Sequence, residues 1–169
     1  MTQWRRIQIL ALGLTSWVSF ASAEPPPVFV LKWGHNGTGN GEFRTPYGVD
    51  VGPLGIVFVA DTENNRVQVF DSSGAFLNSW GSPGSGAGQF NHPWDVAVGS
   101  DGLVYVADTS NHRIQKFSST GVYILQWGGQ GSGAGQFNLP SGLAVGPDGS
   151  VYVADTMNHR IQKFSSAGV

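Results

Sequence analysis

The sequence predicts an all-β fold, a β-propeller of four-stranded antiparallel blades with three blades present. The first observation behind this is a 47-residue repeat without insertions, seen at Trp33/Trp80/Trp127, Phe43/Phe90/Phe137, Pro46/Pro93/Pro140, Asp61/Asp108/Asp155 and Arg66/Arg113/Arg160. A fixed period of this size marks an architecture of stacked supersecondary units. The second is the content of each period, four short strand patterns separated by turn residues, which is one propeller blade. The third is composition: 25 glycines and only 12% charged residues suit tight turns between strands rather than helices or disorder.

The second copy shows the elements in order. Trp94 to Val98 alternates and reads as a first strand, and Ser100-Asp101-Gly102 turns the chain. Leu103 to Asp108 is rich in β-branched and aromatic residues and reads as the second strand. Thr109 to His112 turns again. Arg113 to Phe117 alternates polar and apolar, so one of its faces is buried. Ser118 to Gly121 is the third turn and Val122 to Trp127 the fourth strand. A glycine-rich stretch, Gly128 to Gly135, leads to Phe137 and the next copy. Gly55, Gly102 and Gly149 in the first turn, and Gly74 and Gly121 in the third, stand where the chain needs a positive φ. A four-stranded sheet must cover both faces, so one such unit cannot stand alone.

These residues carry a family resemblance. Gly-Gln-Phe-Asn-x-Pro followed by Val-Tyr-Val-Ala-Asp-Thr-x-Asn-His-Arg-Ile-Gln-Lys-Phe, at 88–93 with 104–117 and at 135–140 with 151–164, resembles the NHL repeat. The first copy is looser, from Gly41 to Pro46 and Val57 to Arg66, and Asn65 replaces the histidine. The resemblance implies a β-propeller, usually six-bladed. It also implies a binding platform, since NHL modules often serve as one, some of them within ubiquitin-ligase proteins. This chain has no cysteine, so it cannot hold the RING zinc site of such a ligase. Some intracellular relatives bind RNA through a basic face. Here the net charge is −2, with no basic run, which argues against nucleic acid.

The ends of the repeat are in complementary phase. Repeats run over about 34–80, 81–127 and 128–169, and residues 28–33 match a fourth strand of a neighbouring or closing blade. The last copy closes at Ser165 to Val169, where a fourth strand begins in the others. Three blades are half of a six-bladed ring. Two readings follow: a head-to-tail homodimer in which each N-terminal strand completes the other chain's last blade, or a fragment of a longer propeller.

Residues 1–23 read as a signal peptide. Arg5 and Arg6 precede an apolar stretch, Ile7 to Phe20, and Ala21-Ser22-Ala23 supplies a small-x-small cleavage pattern. The stretch falls short of the roughly 20 residues that span a bilayer. Cleavage takes the charge from −2 to −4 and leaves Glu24 to Pro27 as a proline-rich lead-in. The expected location is secreted or periplasmic, with no stable membrane span after cleavage. Asn36-Gly37-Thr38 matches a glycosylation acceptor, which matters only on a eukaryotic secretory route.

The candidate sites divide into repeated and non-repeated positions. Asp61/Arg66, Asp108/Arg113 and Asp155/Arg160 recur in every copy and read as structural hairpin clamps around the second turn, with Asn64, Asn111 and Asn158 as turn residues bonding nearby backbone. His35, His92, His112 and His159 do not show the convergence that zinc requires. Nor does the chain match the catalytic positions of propeller enzymes that hold a channel metal, such as the peptidyl-hydroxyglycine amidating lyases. Ser118-Ser119 and Ser165-Ser166 are turn serines without a nucleophile elbow, and the Gly81 to Gly88 and Gly128 to Gly135 stretches lack the Lys-Ser/Thr ending of a phosphate loop.

Function is expected where the copies differ. The residue after the motif proline is Tyr47, Trp94 and Ser141; the next is Gly48, Asp95 and Gly142; and the second-turn position is Glu63, Ser110 and Met157. An aromatic pair on a propeller rim suits a binding hot spot. The expectation is a non-catalytic exported scaffold for a protein or extracellular ligand, with no cofactor. The alternative is a propeller hydrolase or lyase with a metal in the central channel, complete only after dimerisation or in a longer parent chain.

Overall fold

The computed structural model describes residues 25–169, so the expected signal segment lies outside the described residues. Residues 25–35 form no strand. From there the chain lays down three antiparallel sheets in sequence order. The first blade is β1 (Pro46–Val51), β2 (Val57–Asp61), β3 (Arg66–Phe70) and β4 (Phe76–Trp80). The second is β5 (Pro93–Val98), β6 (Val104–Asp108), β7 (Arg113–Phe117) and β8 (Tyr123–Gly128). The third has three strands, β9 (Pro140–Val145), β10 (Val151–Asp155) and β11 (Arg160–Phe164), so β11 is an edge strand. The fourth strand of the second blade thus starts one residue later than expected and ends one later.

The register repeats with the sequence. The second and third strands of each blade pair Asp61 with Arg66, Asp108 with Arg113 and Asp155 with Arg160. Between them lies a single 3-10 turn closed by a left-handed residue, Asn65, His112 or His159, with φ of 52°, 55° and 54°. Asparagine and histidine are among the residues that tolerate this conformation, so Asn65 substitutes for histidine without backbone strain.

The cores lie between blades. Phe58, Ala60, Val67 and Val69 of the first blade join Phe90, Val96, Val106 and Phe117 of the second in one cluster, with Trp80 packed against it. Tyr105, Ala107 and Ile114 of the second join Phe137, Val151, Val153 and Phe164 of the third, with Trp127 against them. One buried side chain of this size contributes about 1.5–3 kcal/mol, so these clusters dominate the stability.

A repeated glycine locks each fourth-strand tryptophan in place. Gly74, Gly121 and Gly168 take φ of 81°, 85° and 81°, and a Cβ there would meet the rings of Trp33, Trp80 and Trp127 at 2.8, 2.6 and 2.8 Å. Glycine therefore serves both the turn and the packing. Trp33 lies on Gly74 and Phe70 just as Trp80 lies on Gly121 and Phe117, with ring centroids 5.9 and 5.8 Å apart. Leu31 to Gly34 thus follow the course of a fourth strand against the first blade, although they have no neighbouring strand in the described chain.

Candidate functional site

The first strands β1, β5 and β9 are neighbours in space from blade to blade. At their starts lies an open cleft of about 360 Å³, lined by Tyr47, Gly48, Trp94, Asp95 and Ser141. The Tyr47 and Trp94 rings face each other with centroids 5.3 Å apart, tilted by 40°. Tyr47 is 61% and Trp94 40% exposed in the described chain.

Asp95 anchors the floor. Its Oδ1 accepts its neighbour Val96 N–H at 2.9 Å and its Oδ2 accepts Leu143 N–H of the third blade at 2.7 Å. Burial pushes its carboxyl up from the usual range, with the Asp50 charge adding to the rise and the two N–H groups opposing it. The alternation Gly48, Asp95, Gly142 now has a physical reason. A Cβ at Gly48 would come within 2.4 Å of Asp95 Oδ1, so glycine there makes room for the carboxylate.

Asp50 makes the equivalent bridge one interface earlier. Its Oδ2 accepts Val98 N–H at 2.8 Å, joining the first strands of the first and second blades. Sequence reasoning passed over Asp50. The signal was present, because its counterparts in the other copies are Ala97 and Ala144. Glu63, Ser110 and Met157 sit on the second turns and do not line the cleft. Their backbone N–H groups bond the carbonyls of Arg44, Asn91 and Asn138 at 3.0–3.1 Å. Ser141 Oγ shares a hydrogen bond with Thr156 Oγ1.

The repeated Asp-Arg pairs form a different kind of constellation. Arg66, Arg113 and Arg160 donate from Nε to Asp61, Asp108 and Asp155 at 2.7, 2.7 and 2.8 Å, and each carboxylate side chain is fully buried. The carboxylates also accept from the turn asparagine, from Gln68, Gln115 or Gln162, and from a loop N–H. Burial raises the Asp155 carboxyl, but the bonds from Asn138 N–H, Asn158 and Arg160 outweigh it and leave the group below its usual range. The guanidinium groups reach on to the glycine-rich loops, as Arg113 does to the carbonyls of Ser85, Gly86 and Gln89. The turn asparagines do not bond nearby backbone as expected. Asn111 Nδ2 donates to Asp108 and to the Gly84 carbonyl, 27 residues upstream. With its carboxylates, asparagines and glutamines engaged, this network holds each loop to its blade.

The histidines are dispersed. His35 Nε2 pairs with Glu42, His92 Nδ1 with Asn91, and His112 Nδ1 accepts Leu139 N–H of the next blade at 3.1 Å. Among the described residues, no three His, Cys, Asp or Glu side chains group closely enough to hold a metal ion. The same residues include no helix long and apolar enough to cross a membrane.

Comparison with known proteins gives the repeat its family. Residues 43–70, 90–117 and 137–164 each match the family model of the NHL repeat. The chain is 47% identical over 49 residues to Protein lin-41 of Caenorhabditis elegans, an alignment covering 29% of this chain and 4% of that protein. It is 47% identical over 45 residues to NHL repeat-containing protein 3 of Homo sapiens, covering 25% of this chain and 13% of that one. Among solved structures it is similar to a streptogramin B lyase, with a TM-score of 0.59 at 17% identity, covering 92% of this chain and 43% of the lyase. At that identity the likeness is one of fold. The chain spans a small part of its curated relatives and less than half of the lyase.

Proposed function

From its membership of the NHL-repeat family, whose repeats build propeller blades here, we propose that the chain is a non-catalytic, exported binding scaffold. Its cleft at the first-strand starts receives a basic side chain of a peptide or protein. One observation carries this reading. Two exposed aromatic rings 5.3 Å apart stand beside the Asp95 carboxylate, at positions where the three copies differ. Aromatic faces attract a cation, and a half-buried carboxylate adds a charge-assisted partner. The carboxylates of the repeated Asp-Asn-Arg network are fully buried and held by their own turn and loop. Export rests on Arg5, Arg6 and the Ala21-Ser22-Ala23 pattern.

The test is a titration with two blocked hexapeptides, one carrying lysine and arginine and one carrying glutamate, followed by tryptophan fluorescence. The basic peptide should bind and the acidic one should not. Asp95→Asn should weaken the basic peptide about tenfold. Affinity should also rise with pH through the elevated Asp95 titration, because only the carboxylate attracts the cation. Equal affinity for both peptides, or an Asp95→Asn variant that binds normally, contradicts the reading.

The competing reading is a hydrolase or lyase with a channel metal, and the fold likeness to the streptogramin B lyase supports it. Stoichiometric zinc or calcium in protein purified from unsupplemented medium, with a turnover activity lost on chelation, would favour it over the scaffold.

A further inference from the structure

The first strands start at the cleft and end at the first turns, and at that far end the two internal interfaces differ. Between the second and third blades a lysine fills the space beside the turns. Lys116 Nζ lies 5.3 Å from the centroid of the Tyr105 ring and donates to the Ser166 carbonyl at 2.7 Å. The residue is only 7% exposed, and Tyr105 is its partner in the strand register. Between the first and second blades the same register sets Val69 opposite Phe58. Valine has neither the length nor the ammonium to repeat the bond. Ser119 is the counterpart of Ser166, and its carbonyl accepts no hydrogen bond among the described residues.

A groove of about 540 Å³ opens at this place, walled only by the first and second blades. The buried Phe58 and Val69 line its depth, and the exposed Leu54 and Leu77 line its rim. Leu54 has a φ of 63°, a region that leucine rarely enters, and the other copies carry Asp101 and Asp148 at its position. Asp101 itself lines the opposite side of the groove. Its Oδ1 accepts Leu103 N–H at 3.0 Å, and no lysine or arginine pairs with it among the described residues. In the third blade the equivalent Asp148 holds Lys163 Nζ at 3.7 Å. Asn78 Nδ2 donates to the Thr120 carbonyl at 3.1 Å and holds the third turn of the second blade against the first.

We propose that this groove is a second binding site, for a primary amine on an unbranched alkyl chain longer than that of lysine. The ammonium takes the place that Lys116 Nζ holds one interface further on. It donates to the Ser119 carbonyl, beside the Asp101 carboxylate and the Phe58 ring. The alkyl chain lies on Val69, Ile56 and Leu77. The occupant is a free amine and not the lysine of a peptide, because the rim where a peptide backbone would emerge is built of Pro53, Leu54 and Leu77, which suit hydrocarbon. The groove shares no residue with the cleft and lies at the other end of the strands, so the proposal is independent of the peptide reading.

The experiment titrates the full chain with hexylamine at neutral pH by calorimetry, beside 1-hexanol and butylamine. Hexylamine should bind one to one. Hexanol should bind at least about tenfold more weakly for want of the charge, and butylamine about tenfold more weakly for want of two methylenes. Val69→Lys gives the first blade the lysine of the other copies and so fills the groove from within. It should keep the circular dichroism spectrum and the basic-peptide affinity while weakening hexylamine at least about tenfold. Asp101→Asn changes an exposed turn residue and leaves the core untouched. It should weaken hexylamine about tenfold and leave hexanol unchanged. Equal affinity for hexylamine and hexanol, no hexylamine binding at millimolar concentration, or either variant binding hexylamine as the unmodified chain does would overturn the proposal. An amine lodged in the cleft instead would give that last result.

Discussion

The second and third blades have nearly the same sequence and very different surroundings. Arg113 to Phe117 and Arg160 to Phe164 both read Arg-Ile-Gln-Lys-Phe, yet every residue of the first strand is buried and only Phe164 of the second is. Burial in this molecule is therefore a property of the neighbouring blade and not of the sequence alone. A repeat that looks self-sufficient in sequence is only half of two interfaces.

The largest test of that contrast removes equivalent hydrophobic bulk from the two environments. Phe117→Ala should cost about 4 kcal/mol in denaturant unfolding, as a buried aromatic in the shared core. Ile161→Ala should change the stability by less than about 0.5 kcal/mol, since that side chain is exposed. The ion pairs come next. Arg113 is nearly buried against Asp108 whereas Arg160 is more exposed against Asp155. Arg113→Ala should cost about 3 kcal/mol by leaving a buried carboxylate uncompensated, and Arg160→Ala about 1 kcal/mol.

Two glycines sharpen the contrast further. Gly121→Ala combines a positive φ with a Cβ 2.6 Å from the Trp80 ring, whereas Gly102 has a positive φ and nothing within 4 Å. The expected losses are about 2 and about 1 kcal/mol, measured as shifts in the unfolding midpoint.

The smallest effects are in pH dependence, and the clamp and the cleft should differ in sign. Asp155 titrates below its reference of 3.8 when folded, so its stabilisation is present above that pH and is lost as pH falls through the folded value. Asp95 titrates above 3.8, so its contribution is present at lower pH and declines as pH rises through the elevated value. Asp155→Asn should flatten the acid limb of the stability profile, and Asp95→Asn should remove the decline on the other side.

The blades and their turns were legible in the sequence because each follows from local pattern. The 47-residue period marked the sheets, and the third-turn glycines marked the positive φ at Gly74 and Gly121. The tie from Asn111 to the Gly84 carbonyl was not legible, since it joins a turn to a loop 27 residues away that only the folded blade brings near. The same holds for His112, whose acceptor role toward Leu139 belongs to an interface between copies. At the cleft, the variable positions pointed to Tyr47, Trp94, Asp95 and Ser141. Asp50 was overlooked because a lone carboxylate in a strand looks like an ordinary solvent-facing residue until Val98 N–H is found beside it.

The central claim is that repeated positions build interfaces while the positions that differ build the site. The most direct measurement gives Trp94 the residue of the third copy, Trp94→Ser, and reads unfolding and basic-peptide affinity on the same sample, beside Trp80→Ser. Trp94→Ser should keep the unfolding midpoint and lose the peptide, while Trp80→Ser should lower the midpoint sharply. A Trp94→Ser protein that unfolds early, or that binds the peptide as before, would contradict it.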